Sequence, residues 1–172
     1  HIKQPVDVAV PGWTKPPFPS REPMEGSFCR LESLVPARHA ESLWAANQLD
    51  EQGSNWTYLP YGPFDGFDEY KNWLEQSCIG NDPLFFAIRD LASRDVVGVA
   101  SYLRITPVSG SIEVGHVNFS PKLQNTTAAT EAMYLMMERA FHLGYRRYEW
   151  KCDAMNAPSR AAAQRLGLSF EG

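Results

Sequence analysis

The chain has 172 residues, 44% of them hydrophobic, and a net charge of -4. That suits one well-packed soluble domain and excludes the basic face on which nucleic-acid binding depends. No apolar run approaches the roughly 20 residues of a membrane helix, and no basic-then-apolar start reads as a signal peptide. Cys29, Cys78 and Cys152 are widely spaced and odd in number. They read as free thiols of a reducing compartment, so the expected location is cytoplasmic, and no Cys/His cluster suggests a metal.

Residues 1–26 carry Pro5, Pro11, Pro16, Pro17, Pro19 and Pro23, which forbid a helix and block regular strand pairing, so an extended arm is expected, pinned by Trp13 and Phe18. The domain proper, residues 27–172, opens with a strand near 28–34 and a helix over 36–52 started by Pro36. Residues 56–64, W-T-Y-L-P-Y-G-P-F, form an aromatic loop broken by Pro60, Gly62 and Pro63, suited equally to closing a core or lining a pocket. A helix over 67–77 follows, with Tyr70, Trp73 and Leu74 inward. Strands at 84–89 and 96–103 flank a polar turn and read as a hairpin.

The next strand, residues 112–119, contains a fault in its alternation. Ile112 and Val114 share one face, whereas Val117 and Phe119 have the opposite parity. A bulge at Gly115-His116 resolves the conflict and frees backbone donors beyond it. A long amphipathic helix then extends to Gly144. Ala129, Ala132, Met133, Met136, Met137, Ala140 and Leu143 line one side, Glu131, Glu138 and His142 the other, and only Leu135 is misplaced. The residues before and at its start, Gln124, Asn125, Thr126, Thr127, Ala128 and Ala129, are small or polar. Either threonine can cap the helix, and the unpaired N–H groups of its first turn suit an anion such as phosphate; an ordinary capped core helix is the alternative. Neither GxxxxGK[ST] nor GxGxxG is present, which argues against nucleotide hydrolysis and dinucleotide binding. A strand over 146–152, with Cys152 buried in it, a loop, and a helix from Pro158 to about Leu166 complete the chain. These elements indicate a mixed α+β or α/β sheet domain.

From about residue 28 onward the chain resembles the GCN5-related N-acetyltransferases (GNAT), in particular their RimJ/RimL-type branch. The pyrophosphate loop of that family, Q/R-x-x-G-x-G/A, is matched by Gln124-Asn125-Thr126-Thr127-Ala128-Ala129, with Thr127 in place of glycine. Its A-T-E-A sequence follows, its bulged strand corresponds to residues 112–119, and its N-x-x-S segment appears as Asn156-Ala157-Pro158-Ser159 ahead of Leu166-Gly167-Leu168. The resemblance implies an α/β (α+β) fold, a mixed, mostly antiparallel sheet flanked by helices. It also implies two closing strands after the last helix, of which only the beginning, at 168–170, is expected here. A longer natural polypeptide or a second copy of the chain, as a homodimer, would then cover the sheet edge.

The activity implied is acetyl transfer from acetyl-CoA, used as cosubstrate without a metal, to an amine of a protein N-terminus, a polyamine or another small molecule. Glu113, in E-V-G-H, is the candidate base or anchor of a proton wire, with a solvated strand glutamate as the alternative. His116 is a second candidate base and, with Trp56, Tyr58 and Tyr61, an expected wall of the acceptor site. The N–H of Val117 would polarise the thioester carbonyl. Phe119, the loop from Gln124 to Ala129 and Asn156 would hold the coenzyme, and Ser159 would protonate the leaving thiolate unless it only starts its helix. A non-catalytic coenzyme-binding or interaction module with the same fold is the rival reading.

Overall fold

Residues 8–172 are described in the computed structural model; Pro5 and the rest of the first seven residues of the expected arm lie outside them. Six strands pair in sequence order into one sheet: β1 Met24–Glu25, β2 Cys29–Ser33, β3 Leu84–Asp90, β4 Val96–Thr106, β5 Ser111–Phe119 and β6 Arg147–Trp150. Neighbours are antiparallel as far as β5, and β6 joins β5 in parallel, as a strand–helix–strand crossover requires. The helices are α1 Pro36–Asn47, α2 Phe67–Ser77, α3 Thr127–His142 and α4 Ala157–Arg165. This is the expected mixed α/β architecture of a mostly antiparallel sheet flanked by helices.

Alternation along β3 divides the core in two. Leu84, Phe86 and Ile88 join Tyr102, Ile112 and Val114 against Ala132, Met133, Met136 and Ala140 of α3. Phe85 and Ala87 face the other way, onto Leu34, Leu43, Tyr70 and Leu74 beneath α1 and α2, since successive strand residues point to opposite faces. Leu135, misplaced on the helical wheel, packs partly buried against the α3-side core.

Four details depart from expectation. Helix α1 ends at Asn47 rather than residue 52. Asp50 instead organises a turn, its carboxylate accepting from Ser54 Oγ at 2.9 Å and the Asn55 N–H at 2.7 Å, and Leu49 is exposed. Phe18 is also exposed. The arm is fastened by buried Pro16 and Pro19, by Trp13 under the Arg146 guanidinium, and by Arg21, which donates to the carbonyls of Ile79 and Gly80. Within the arm, Met24–Glu25 pairs as β1 despite the nearby prolines, because Pro23 precedes the strand. Finally, β6 stops at Trp150, and Cys152 is an exposed thiol just beyond it rather than a buried strand residue.

Candidate active site

The parity fault in β5 is repaired by one extra residue. Pairing steps from Ser101↔Gly115 to Val99↔Asn118, so His116 and Val117 together oppose Ala100, and His116 takes a left-handed φ of 50°. As a result Ile112, Val114, Val117 and Phe119 all pack toward α3. On the other side of β5, pairing with β6 covers only Ser111 to Val114, opposite Arg147 to Trp150. Beyond Val114 the two parallel strands part, and each leads into a helix start, α3 after β5 and α4 after β6. The carboxyl ends of diverging parallel strands are where ligands enter sheets of this type.

The start of α3 is built as expected, with Thr126 as its cap: Thr126 Oγ1 accepts from the Ala129 N–H at 3.1 Å and donates to the Leu123 carbonyl at 2.6 Å. The left-handed residue is Asn125, φ 59°. Thr127, in the place where the resemblance leads one to expect glycine, is an ordinary first helical residue, so its Cβ causes no backbone strain. The N–H groups of Asn125, Thr126, Thr127 and Ala128 have no hydrogen-bond partner, which leaves four donors at the positive end of a 16-residue helix. Gln124 braces this loop by donating to the Phe119 carbonyl at 2.8 Å and to Asn55 Oδ1 at 2.6 Å. Asn55 donates in turn to the same carbonyl at 3.2 Å. Asn55 went unnoticed in the sequence, where nothing marks it.

Glu113 is not a solvated strand glutamate. It is 4% exposed, and its Oε2 accepts from Arg104 Nη1 at 2.5 Å and from Lys151 Nζ at 2.8 Å. Neither cation was foreseen. Glu113 stands directly across from Glu149 in the β5–β6 register, and like charges so placed repel. Lys151 resolves the conflict by bonding Glu149 Oε2 as well, at 2.8 Å; this bond and that of Arg147 hold the Glu149 carboxyl below its usual range. The E-x-K spacing of Glu149 and Lys151 was the available signal. Arg104 is aimed by a second bulge. Register moves from Leu103↔Glu113 to Thr106↔Ser111, with Arg104 at φ 45° and Asp82 accepting from the N–H groups of Arg104 and Ile105 at 2.9 and 3.0 Å.

His116 lies at the edge of an aromatic cluster. Its ring stacks on Tyr61 with centroids 5.6 Å apart and meets Phe85 at 5.2 Å, and Tyr61 lies 4.3 Å from Trp73. His116 Nδ1 and Tyr61 Oη are 3.0 Å apart. Burial lowers the His116 pKa, while Glu113 and Arg104 act on it in opposite senses. Trp56, expected as a wall of the acceptor site, is 7% exposed and packs in the core against Tyr61, Phe64 and Tyr70, and a Cβ on Gly62 would meet its ring at 2.6 Å. Tyr58 is half exposed, and its hydroxyl reaches the Met155 carbonyl at 3.1 Å, joining the aromatic loop to the segment before α4.

Asn156 and Ser159 both have structural partners. Asn156 Oδ1 caps α4 by accepting the Ser159 N–H at 3.1 Å, and Ser159 Oγ accepts from Trp150 Nε1 at 2.9 Å. The hydroxyl proton of Ser159 stays available. Among the described residues no group of three or more His, Cys, Asp or Glu side chains could hold a metal, and no helix is long and apolar enough to cross a membrane.

The sequence model of the acetyltransferase (GNAT) domain family matches residues 30–169. No curated protein matches the chain. Among solved structures, a GCN5-related N-acetyltransferase from Brucella melitensis is 41% identical with a TM-score of 0.91, covering 95% of this chain and 74% of that one. A protein described as a probable acetyltransferase of the GNAT family from Chromobacterium violaceum is 37% identical with a TM-score of 0.89, covering 99% and 85%. The microcin C7 self-immunity acetyltransferase, crystallised with acetyl-CoA and AMP, shares the fold at 22% identity and a TM-score of 0.72, covering 86% and 82%.

Proposed function

The chain belongs to the GNAT acetyltransferase domain family, and on that premise we propose that it moves the acetyl group of acetyl-CoA to a primary amine. The observation that carries this reading is the set of four free N–H donors at the start of α3, beside the edge of β5 that opens after its bulge. A pyrophosphate held by those donors needs no cationic side chain. The pantetheine arm then runs along the open edge past Phe119 and Val117, with Asn156 on the far wall. The Val117 N–H lies in the bulge opposite Ala100 and is the donor for the thioester oxygen as negative charge develops there. The acceptor enters on the face carrying Glu113 and His116, between Tyr58, Tyr61 and the bulged strand. Glu113, fixed by Arg104 and Lys151, anchors the hydrogen bonding of that face, and Ser159 can give its proton to the departing thiolate.

Acetyl-CoA bound to the microcin self-immunity enzyme of the same fold supports this choice of donor. Membership of an acetyltransferase family favours catalysis over a purely binding role. The RimJ/RimL-type resemblance puts a protein α-amine first among acceptors and polyamines second, and the three free thiols suit a cytoplasmic setting. Incubation with acetyl-CoA and a panel of an N-terminal seryl peptide, spermidine and Nα-acetyl-lysine, with free coenzyme A measured, is expected to show amine-dependent thiol release. Coenzyme binding without release across the panel would support the non-catalytic reading.

A further inference from the structure

Loss of a proton from the acceptor nitrogen needs a lone pair that is open at the reacting centre and free of stronger commitments. Glu113 fits this poorly. Its Oε1 carries no hydrogen bond, but a proton there would neutralise the carboxylate and weaken both charge-assisted bonds that Oε2 accepts, from Arg104 and from Lys151. His116 fits better on four counts. It occupies the bulge itself, in a left-handed conformation uncommon for a residue with a side chain, and such local strain gathers at functional positions. It is adjacent in sequence to Val117, so proton acceptor and carbonyl-polarising donor are set by one backbone feature. Its ring is oriented by stacking on Tyr61 and by a tilted contact with Phe85. One of its nitrogens is engaged, Nδ1 with Tyr61 Oη, while Nε2 makes no hydrogen bond and is not sealed from solvent.

We propose that His116 Nε2 takes the proton from the acceptor amine, with Tyr61 as the positioning residue that fixes the required tautomer; this rests on the acetyl-transfer reading above. Nδ1 carries hydrogen and donates it to Tyr61 Oη, which leaves the lone pair on Nε2. As the C–N bond forms and the C–S bond breaks, the acceptor nitrogen loses one proton to Nε2. The sulfur departs as thiolate and is protonated by Ser159 or water, and the imidazolium returns its proton to solvent. The groups facing the ring are Tyr61 from the loop, Phe85 from β3, Arg104 from β4 and Glu113 from β5. Burial holds Tyr61 far above the ordinary phenol range, so it remains a neutral partner, and burial of His116 keeps the imidazole unprotonated near neutral pH.

Two measurements test the assignment. In steady-state assays with acetyl-CoA and the three amines over roughly pH 5 to 9, log kcat/KM of the parent should rise with a slope of about two at low pH, where both His116 and the amine must lose a proton, and about one above the His116 transition. His116→Gln should lose roughly 10²- to 10⁴-fold in rate, keep a slope of about one throughout, and leave acetyl-CoA affinity unchanged by calorimetry. Tyr61→Phe, which keeps the stacking, should lose about 10-fold and move the break. A His116→Gln enzyme with the parent's rate and two-proton limb would overturn the proposal. Nitrogen-15 histidine NMR reads the tautomer without turnover: Nδ1–H is expected in the parent near neutral pH, shifting toward Nε2–H in Tyr61→Phe. Parent Nε2–H would overturn the assignment even with acetyl transfer intact, whereas absence of thiol release with all three amines would count against the acetyl-transfer reading itself.

Discussion

Helices α3 and α4 begin alike and are held differently. In each, a side-chain oxygen at the cap accepts the N–H three residues on at 3.1 Å, Thr126 from Ala129 and Asn156 from Ser159. Each follows one of the two parallel strands that diverge after Val114 and Trp150. Behind the first turn of α3, however, stand buried Ala128, Ala132, Met133, Met136 and Ala140, whereas α4 buries no residue. The start of α4 is held from outside, by Trp150 on Ser159, Arg160 on the Ala154 carbonyl and Tyr58 on the Met155 carbonyl. A cap marks a helix start; the burial behind it decides whether the start is stiff enough to hold a ligand without reorganising, which is where preorganised binding gains its affinity. On the proposed reading the first helix is the phosphate cradle and the second an adjustable wall.

The largest effect expected from this contrast concerns the coenzyme. Thr127→Asp places an anion at the proposed pyrophosphate position and should weaken acetyl-CoA binding by roughly 100-fold, about 2.7 kcal/mol. An acidic residue in a first helical turn favours the helix, so the loss should come without loss of fold. Ala157→Asp puts the same charge at the start of α4 and should change affinity by no more than about threefold, within the usual range for a screened, exposed charge. Calorimetry on both variants decides the matter, and equal effects would erase the distinction between the two helices.

The capped start of α3 was legible in the sequence because its signals are local: small residues, a threonine cap and a run of period-3.6 apolar positions. The bulge was legible for a related reason, since a break in alternation within β5 cannot satisfy one buried face without an inserted residue. The partners of Glu113 were not. Arg104 comes from the neighbouring strand β4 and is aimed by a bulge there, and Lys151 lies beyond the end of a strand. The inward turn of Trp56 was not legible, because an aperiodic aromatic segment does not reveal which ring is buried; tight packing against Gly62 decides it here. Glu131 was read only as part of the polar face of α3. Its actual partners are more than 100 residues away in sequence.

That glutamate supplies the second test. Glu131 fastens α3 to the turn between β1 and β2, Oε1 accepting from Ser27 N–H at 2.8 Å and Oε2 from Phe28 and Cys29 N–H at 2.7 and 2.8 Å. Glu131→Gln keeps one acceptor but turns an NH₂ toward backbone donors, and should cost about 2 kcal/mol in denaturant unfolding. Desolvation pushes the Glu131 pKa up, but the three backbone donors outweigh it and the net shift is downward. The folded value thus lies below the unfolded one. The stabilisation is complete above about pH 5 and is lost as pH falls through the lowered folded value. The parent should lose more stability than the variant across that acid range, and parallel losses would assign the pH dependence to other carboxylates.

The smallest effect is the most direct comparison of the two starts. Thr126→Ala and Asn156→Ala remove the same bond from the two helices, and an N-cap of this kind ordinarily contributes about 1 kcal/mol. A global unfolding measurement registers that contribution only where the helix unfolds together with the core. Helix α3 does so, because its buried face is part of the sheet packing, so Thr126→Ala should lower unfolding free energy by about 1 kcal/mol. Helix α4 buries nothing and can open locally while the sheet stays folded. Asn156→Ala should therefore change the global value by only a few tenths of a kcal/mol and should show itself in faster amide exchange confined to α4. If the two substitutions lowered global stability equally, α4 would belong to the same cooperative unit as the sheet, and the wall it forms would be as rigid as the cradle opposite.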